Sequence, residues 1–202
     1  MLIPGPMAQS EALRALADIR AVIDRTARYS TFSALSGFLA GGAALAGSGG
    51  CGYFAQFPGA QDTDGKAYFL VWSGVFAFAA LQWLILTWLK ARSRGESMWT
   101  PIARTAFNAM LGPGLAGIFA SIVLFASNGY QYLAGLWLLL YGCGLWAVSF
   151  FAPVFLRWLG LAFICLGCCA WVKTTDPGFW LGIGFGGLHL IFGIVVLARY
   201  QK

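Results

Sequence analysis

Six apolar stretches, joined by short polar turns, fill this chain from about Thr31 to Tyr200. Each is ~17–25 residues long, and the ~30 Å hydrocarbon core of a bilayer takes ~20 apolar residues as a helix. In lipid every backbone N–H and C=O must bond within the chain, so only helices and closed barrels can cross. The two-residue alternation of a membrane barrel is missing. The fold expected is all-α: a polytopic membrane protein with six transmembrane helices as three hairpins. The spans fall at about 31–57, 67–89, 101–127, 131–151, 153–172 and 179–200, and residues 1–30 form an N-terminal cytoplasmic amphipathic helix.

Composition argues against a soluble domain. Apolar residues make up 59% of the chain and charged residues 10%, where soluble domains carry ~25% charged residues. The net charge of +6 would suit nucleic acid, but its placement does not. Arg14, Arg20, Arg25 and Arg28 precede the first span, and Lys90, Arg92, Arg94 and Arg104 surround the connection after the second. Arg157 follows the fourth span, and Arg199 and Lys202 close the chain. Eleven of thirteen basic residues thus fall on one side, with only Lys66 and Lys173 on the other. The positive-inside rule reads this as topology: a multi-pass protein of a bacterial inner (plasma) membrane, both termini cytoplasmic, with no nucleic-acid partner. The start shows no basic, apolar and small-residue order of a cleavable signal, so the first span is expected to stay as an anchor.

Between residues 10 and 30, Leu13, Leu16, Ile19 and Ile23 recur at three- and four-residue intervals, an amphipathic pattern. Arg20–Asp24 and Asp24–Arg28 are i,i+4 pairs on the other face. Such a helix can pack on the protein's own cytoplasmic face or on a second copy, or stay solvated and merely orient span one. Thr100-Pro101 reads as a helix start, with Thr at the N-cap and Pro in the first turn. Asn128-Gly129 reads as a tight turn.

Three features could carry chemistry, and each has a structural reading beside it. His189 is the only histidine, near the middle of span six and inside a glycine-rich run. An ionisable group at that depth is a default site hypothesis; Tyr141, Gln82 and Asn108 are its candidate partners, and a neutral cross-helix hydrogen bond is the structural alternative. Gly112-Pro113-Gly114 interrupts span three, because proline removes a backbone donor and crowds the Ala109 carbonyl. Broken helices mark transporter sites, whereas a plain kink is the simpler outcome. Cys165 and Cys168 have the spacing of a redox or zinc pair, with Cys169 beside them. At lipid depth a thiolate is disfavoured, so buried thiols serving as small packing residues are expected. No phosphate loop, nucleophile–base pair or carboxylate pair is present in the sequence, and no cofactor or metal is expected. Gly37-xxx-Gly41 and Gly182-xxx-Gly186 supply flat helix-packing faces.

Ile19-Arg20, Arg25 and Arg28 lead to Leu35-Ser36-Gly37; Trp99, Ala103-Arg104 and Asn108 follow, then Tyr141-Gly142, and finally Gly184-Phe185-Gly186, Leu188-His189 and Gly193. Together they resemble a group of uncharacterised bacterial six-span integral membrane proteins over nearly the whole chain. The resemblance implies a compact six-helix membrane domain with a cytoplasmic N-terminal helix, and implies no activity. In glycine spacing alone, the hairpin rhythm is similar to the acid-resistance six-span family. The leading functional expectation is a non-enzymatic helix bundle that acts by assembly, as a homo-oligomer or small subunit of a membrane complex. The alternatives are small-solute or proton-linked transport through the Pro113 break and His189, and a membrane sensor partnering a cytoplasmic regulator.

Overall fold

Where the sequence turns apolar, the backbone of the computed structural model is helical; it describes residues 11, 14–18, 33–54, 64–95, 97–174 and 176–200. Helix α1 spans Ala34–Phe54, α2 Asp64–Arg94 and α3 Pro101–Ala126. A short 3-10 turn, Tyr130–Tyr132, leads into α4 (Leu133–Val148), and α5 covers Phe155–Val172. The sixth span is composite, with α6 (Pro177–Leu181), a π-helical stretch (Gly182–Leu188) and α7 (His189–Tyr200) running on from one another. Six segments are long and apolar enough to cross a membrane, and the described residues contain no strand. The chain is an all-α polytopic membrane protein. Of the N-terminal helix only Glu11 and residues 14–18 are described, helical and exposed; the rest of that expectation, like Lys202, lies outside the described residues.

Local chemistry sets the helix ends. The Thr100 hydroxyl accepts from the Ala103 N–H at 3.2 Å, and Pro101 takes the first helical position, where its missing donor costs nothing. Asn128 turns the chain at a φ of 57°, a left-handed conformation that asparagine tolerates, and Gly129 N donates back to the Leu124 carbonyl at 2.7 Å. Asp176 caps the last span by accepting from Gly178 N at 2.8 Å.

Helix α3 corrects one expectation. It runs through Pro113 without interruption. The proline forfeits one ladder bond, but a Cβ placed on either flanking glycine, Gly112 or Gly114, would meet nothing within 4 Å. The helix absorbs that loss instead of breaking.

Span six is the hub of the bundle. On one side it meets α1 along glycines. A Cβ on Gly37 would lie 2.8 Å from Phe192 Cδ1 and 3.0 Å from Gly193 Cα, one on Gly41 2.9 Å from the Gly186 carbonyl oxygen, and one on Gly186 2.7 Å from Leu45 Cδ2. Gly182 lies against Ser48, whose hydroxyl donates to the Gly178 carbonyl at 2.9 Å. All four glycines of the two expected faces therefore lie in this one interface, within the chain. On its other side span six meets the α4–α5 pair, with Leu138 seated on Gly184. Gly142 of α4 and Gly160 of α5 bring those two backbones together, since a Cβ on Gly142 would lie 2.7 Å from the Gly160 carbonyl oxygen. The most extensive helix pairing is thus α4 with α5, between neighbouring hairpins.

Helices α2 and α3 flank this centre, α2 against α1 and α3 against α4. Within their apolar stretches only 6% and 11% of residues are buried, against 28% to 44% in the other four spans. They touch each other near the end that carries Asp176, where the Phe69 and Phe125 rings are 5.7 Å apart. Large apolar side chains such as Phe76, Leu84, Ile118 and Phe119 are exposed on both, as a lipid-facing surface requires.

Candidate functional site

Halfway along α4, Tyr141 points into the bundle and meets His189, the first residue after the π-helical stretch; the phenol oxygen lies 3.0 Å from His189 Nε2. The glycines make this approach possible. Gly182, Gly184 and Gly186 are buried within the π stretch, with Leu138 of α4 and Leu45 of α1 occupying the space their side chains would need. A π turn carries an extra residue per turn, is rare, and is frequent at functional sites.

Aromatic rings enclose the pair. Phe163, fully buried on α5, is edge-on to Tyr141 at 4.8 Å and to His189 at 5.7 Å. Phe185 stacks on His189 at 5.9 Å and lies 5.1 Å from Tyr141, and Phe192 closes the far side at 6.5 Å. His189 Nδ1 is sealed from the surface with no hydrogen-bond partner, and the ring lies beside the Phe185 backbone, one turn earlier. The tautomer follows from hydrogen-bond accounting. If Tyr141 donates to Nε2, the imidazole proton sits on Nδ1 beside that backbone; the reverse leaves a phenolic proton and a bare Nδ1 lone pair both unused. The pair is therefore a neutral donor–acceptor couple in an apolar cage. Among the described residues no group of three or more His, Cys, Asp or Glu could hold a metal ion.

Of the partners expected for His189, the structure joins Tyr141 alone. Gln82 instead pins α2 to α1: its Nε2 donates to Ser36 Oγ at 3.0 Å and to the Ala79 carbonyl at 3.1 Å, leaving Oε1 buried and unpartnered. Asn108 is exposed on α3, and Pro113 is half-buried on that same helix, which packs chiefly on α4.

The cysteines depart from expectation. Cys143, Cys165, Cys168 and Cys169 are free and exposed rather than buried packing residues. The inward face of α5 is Leu156, Gly160, Phe163, Gly167 and Ala170, at three- and four-residue steps; helical geometry turns 165, 168 and 169 away from it.

Two features escaped the sequence reading. The Arg157 guanidinium lies over Trp146 at 5.7 Å and Phe150 at 5.4 Å, a cation–π contact whose sequence signal is the i,i+4 aromatic pair just before the turn. At the opposite end, Tyr68 and Trp72 present two buried donors side by side; their i,i+4 spacing was the available sign. No known protein family, curated protein or solved structure matches this chain.

Proposed function

We propose that this is a non-enzymatic inner-membrane protein that works by assembly with a second copy of itself, through the outward face of α3. Asn108 carries the reading. It lies about 10 Å into α3 at 1.5 Å per residue, exposed between the exposed apolar side chains Phe107 and Leu111, and makes no hydrogen bond among the described residues. An amide facing hydrocarbon without a partner costs roughly 2–7 kcal/mol. Carboxamides are self-complementary, each offering donor and acceptor, so two copies related by a two-fold axis satisfy each other. Gly112 and Ala116 continue the same stripe at four-residue steps and are exposed, which lets two such helices approach closely. The basic end of the bundle, with Lys90, Arg92, Arg104 and Arg157, faces the cytoplasm in this proposal. The transport alternative rested on a break at Pro113, where α3 is continuous, and on His189, whose couple with Tyr141 is enclosed by phenyl rings.

The test is native mass spectrometry in lipid nanodiscs with Gly112→Leu and Asn108→Val. A Cβ on Gly112 meets nothing within 4 Å, so the monomer fold tolerates this leucine and any loss of dimer reads the interface alone. A wild-type monomer in bilayers, or a dimer that survives both substitutions, refutes the proposal.

A further inference from the structure

Arg157 lies in the first turn of α5, at the end of the bundle that also carries Lys90, Arg92 and Arg104. Two rings from outside that helix seat its guanidinium, Trp146 of α4 at 5.7 Å and Phe150 of the turn at 5.4 Å. The side chain is half-buried and its fork has a direction. Nε is sealed from the surface, whereas the two Nη atoms are not sealed and meet no acceptor among the described residues. Arg92 differs, because it lies over Trp88 of its own helix.

Aromatic rings hold a cation without neutralising it, so the charge of Arg157 still needs a counterpart. Among the described residues of the spans and their connections the acids are Asp64 and Asp176, both at the opposite end. What meets the two Nη atoms is then water or an anion from outside the chain. A planar fork of N–H groups matches the oxygens of a phosphate, and the first turn of a spanning helix lies near headgroup depth. Beyond Arg157, Leu161, Cys165 and Cys168 follow at four-, four- and three-residue steps, all exposed. From 157 to 168 is ~16 Å at 1.5 Å per residue, the depth of one leaflet of a ~30 Å core. The thiols are short, so an acyl chain can lie along this line beside the exposed Trp158.

We propose that Arg157, seated against Trp146 and Phe150, binds the phosphate of an anionic phospholipid from the leaflet at the basic end, with one acyl chain along Leu161, Cys165 and Cys168. A zwitterionic headgroup would bring an ammonium among Lys90, Arg92 and Arg104, with no carboxylate among the described residues there to receive it. A headgroup that is negative overall is attracted by all four cations.

The probe is phosphatidylglycerol, with phosphatidylcholine as the zwitterionic comparison, titrated onto the full chain in detergent micelles. Native mass spectrometry reads binding, and melting temperature reads its consequence. The wild type should bind phosphatidylglycerol about tenfold more tightly than Arg157→Gln does, the loss of one charge-assisted bond. Arg104→Gln removes a cation of the same end outside the site and should bind as the wild type does. Bound lipid should raise the melting temperature of the wild type and leave that of Arg157→Gln unchanged, and inorganic phosphate, which has no acyl chain, should raise neither. Should Arg157→Gln fail to fold, the wild type decides: its structure in phosphatidylglycerol nanodiscs should show headgroup density against the two Nη atoms. Equal loss in the two variants, which would mean that net charge alone attracts the lipid, overturns the proposal. So do equal affinity for phosphatidylcholine, equal stabilisation by inorganic phosphate, and Nη atoms without headgroup density.

Discussion

Removing either half of the Tyr141–His189 couple should cost more than removing both, and the difference can be worked out from the structure. The bond is 3.0 Å long inside a cage of Phe163, Phe185 and Phe192. Cross-helix hydrogen bonds in membranes are worth about 0.6 kcal/mol on average and about 1.7 at most. His189→Leu leaves the Tyr141 hydroxyl buried and unpaired, which adds a penalty of ~1–3 kcal/mol. Tyr141→Phe leaves both imidazole nitrogens without a well-formed bond, with a penalty of the same order. In the double variant neither orphan exists, since both partners are apolar, and only packing changes. The double variant lacks both orphan penalties, so the cycle should give a coupling of at least ~2 kcal/mol, at the upper end of the range for residues in contact. His189→Gln, which keeps donor and acceptor, should stay within about 1 kcal/mol of wild type. The measurement is unfolding equilibrium in bicelles by steric trapping, on all four proteins. Additivity within about 0.5 kcal/mol would show that the two groups do not depend on each other, and the site description would be wrong.

Gly41→Leu should destabilise strongly, by ~1–3 kcal/mol or more for overpacking, because its Cβ meets the Gly186 carbonyl oxygen at 2.9 Å; an unchanged melting temperature would mean α1 does not press on span six. Gln82→Leu should shift stability by less than about 1 kcal/mol, since the lost bond to Ser36 is offset by removing the unpartnered Oε1; a large loss, read by thermal melting, would mean that Oε1 has a partner. Cys165, Cys168 and Cys169 should resist charged, impermeant maleimides in bilayers and label once the protein is unfolded in denaturing detergent, because they face outward on a membrane-spanning helix where the reactive thiolate is disfavoured; labelling in intact bilayers, read by mass spectrometry, would refute this. Reporter fusions at Gly95 should report cytoplasm and fusions at Asp64 the opposite side; a reversed result would overturn the orientation.

Most of the architecture was legible because lipid leaves a chain few choices. Segment length, hydropathy and end chemistry at Thr100, Pro101 and Asn128 are local quantities, and the helices begin and end where those residues say. The candidate site was half legible: His189 stood out as the one histidine, near the middle of a span, yet Tyr141, Gln82 and Asn108 were equal partners for it. Choosing among them needs the rotation of α4 and span six about their axes. No local pattern encodes this in helices that are apolar on all sides, where the usual amphipathic stripe is weak. The thiols show the same difficulty: their spacing was visible, and their outward direction was not.

The sequence by itself determined that this chain crosses a membrane as six helices and where its positive charge collects, because the free energy of moving backbone and charge into hydrocarbon depends on each segment alone. Only the tertiary structure decided that span six is the hub, that Gly37 and Gly41 meet Gly186 and Gly193 within one chain, and that α3 stays continuous through Pro113. Lipid is as apolar as the helices, so nothing in hydropathy prefers one helix neighbour to another. That choice falls to shape: which glycine admits which backbone, and which buried donor finds an acceptor.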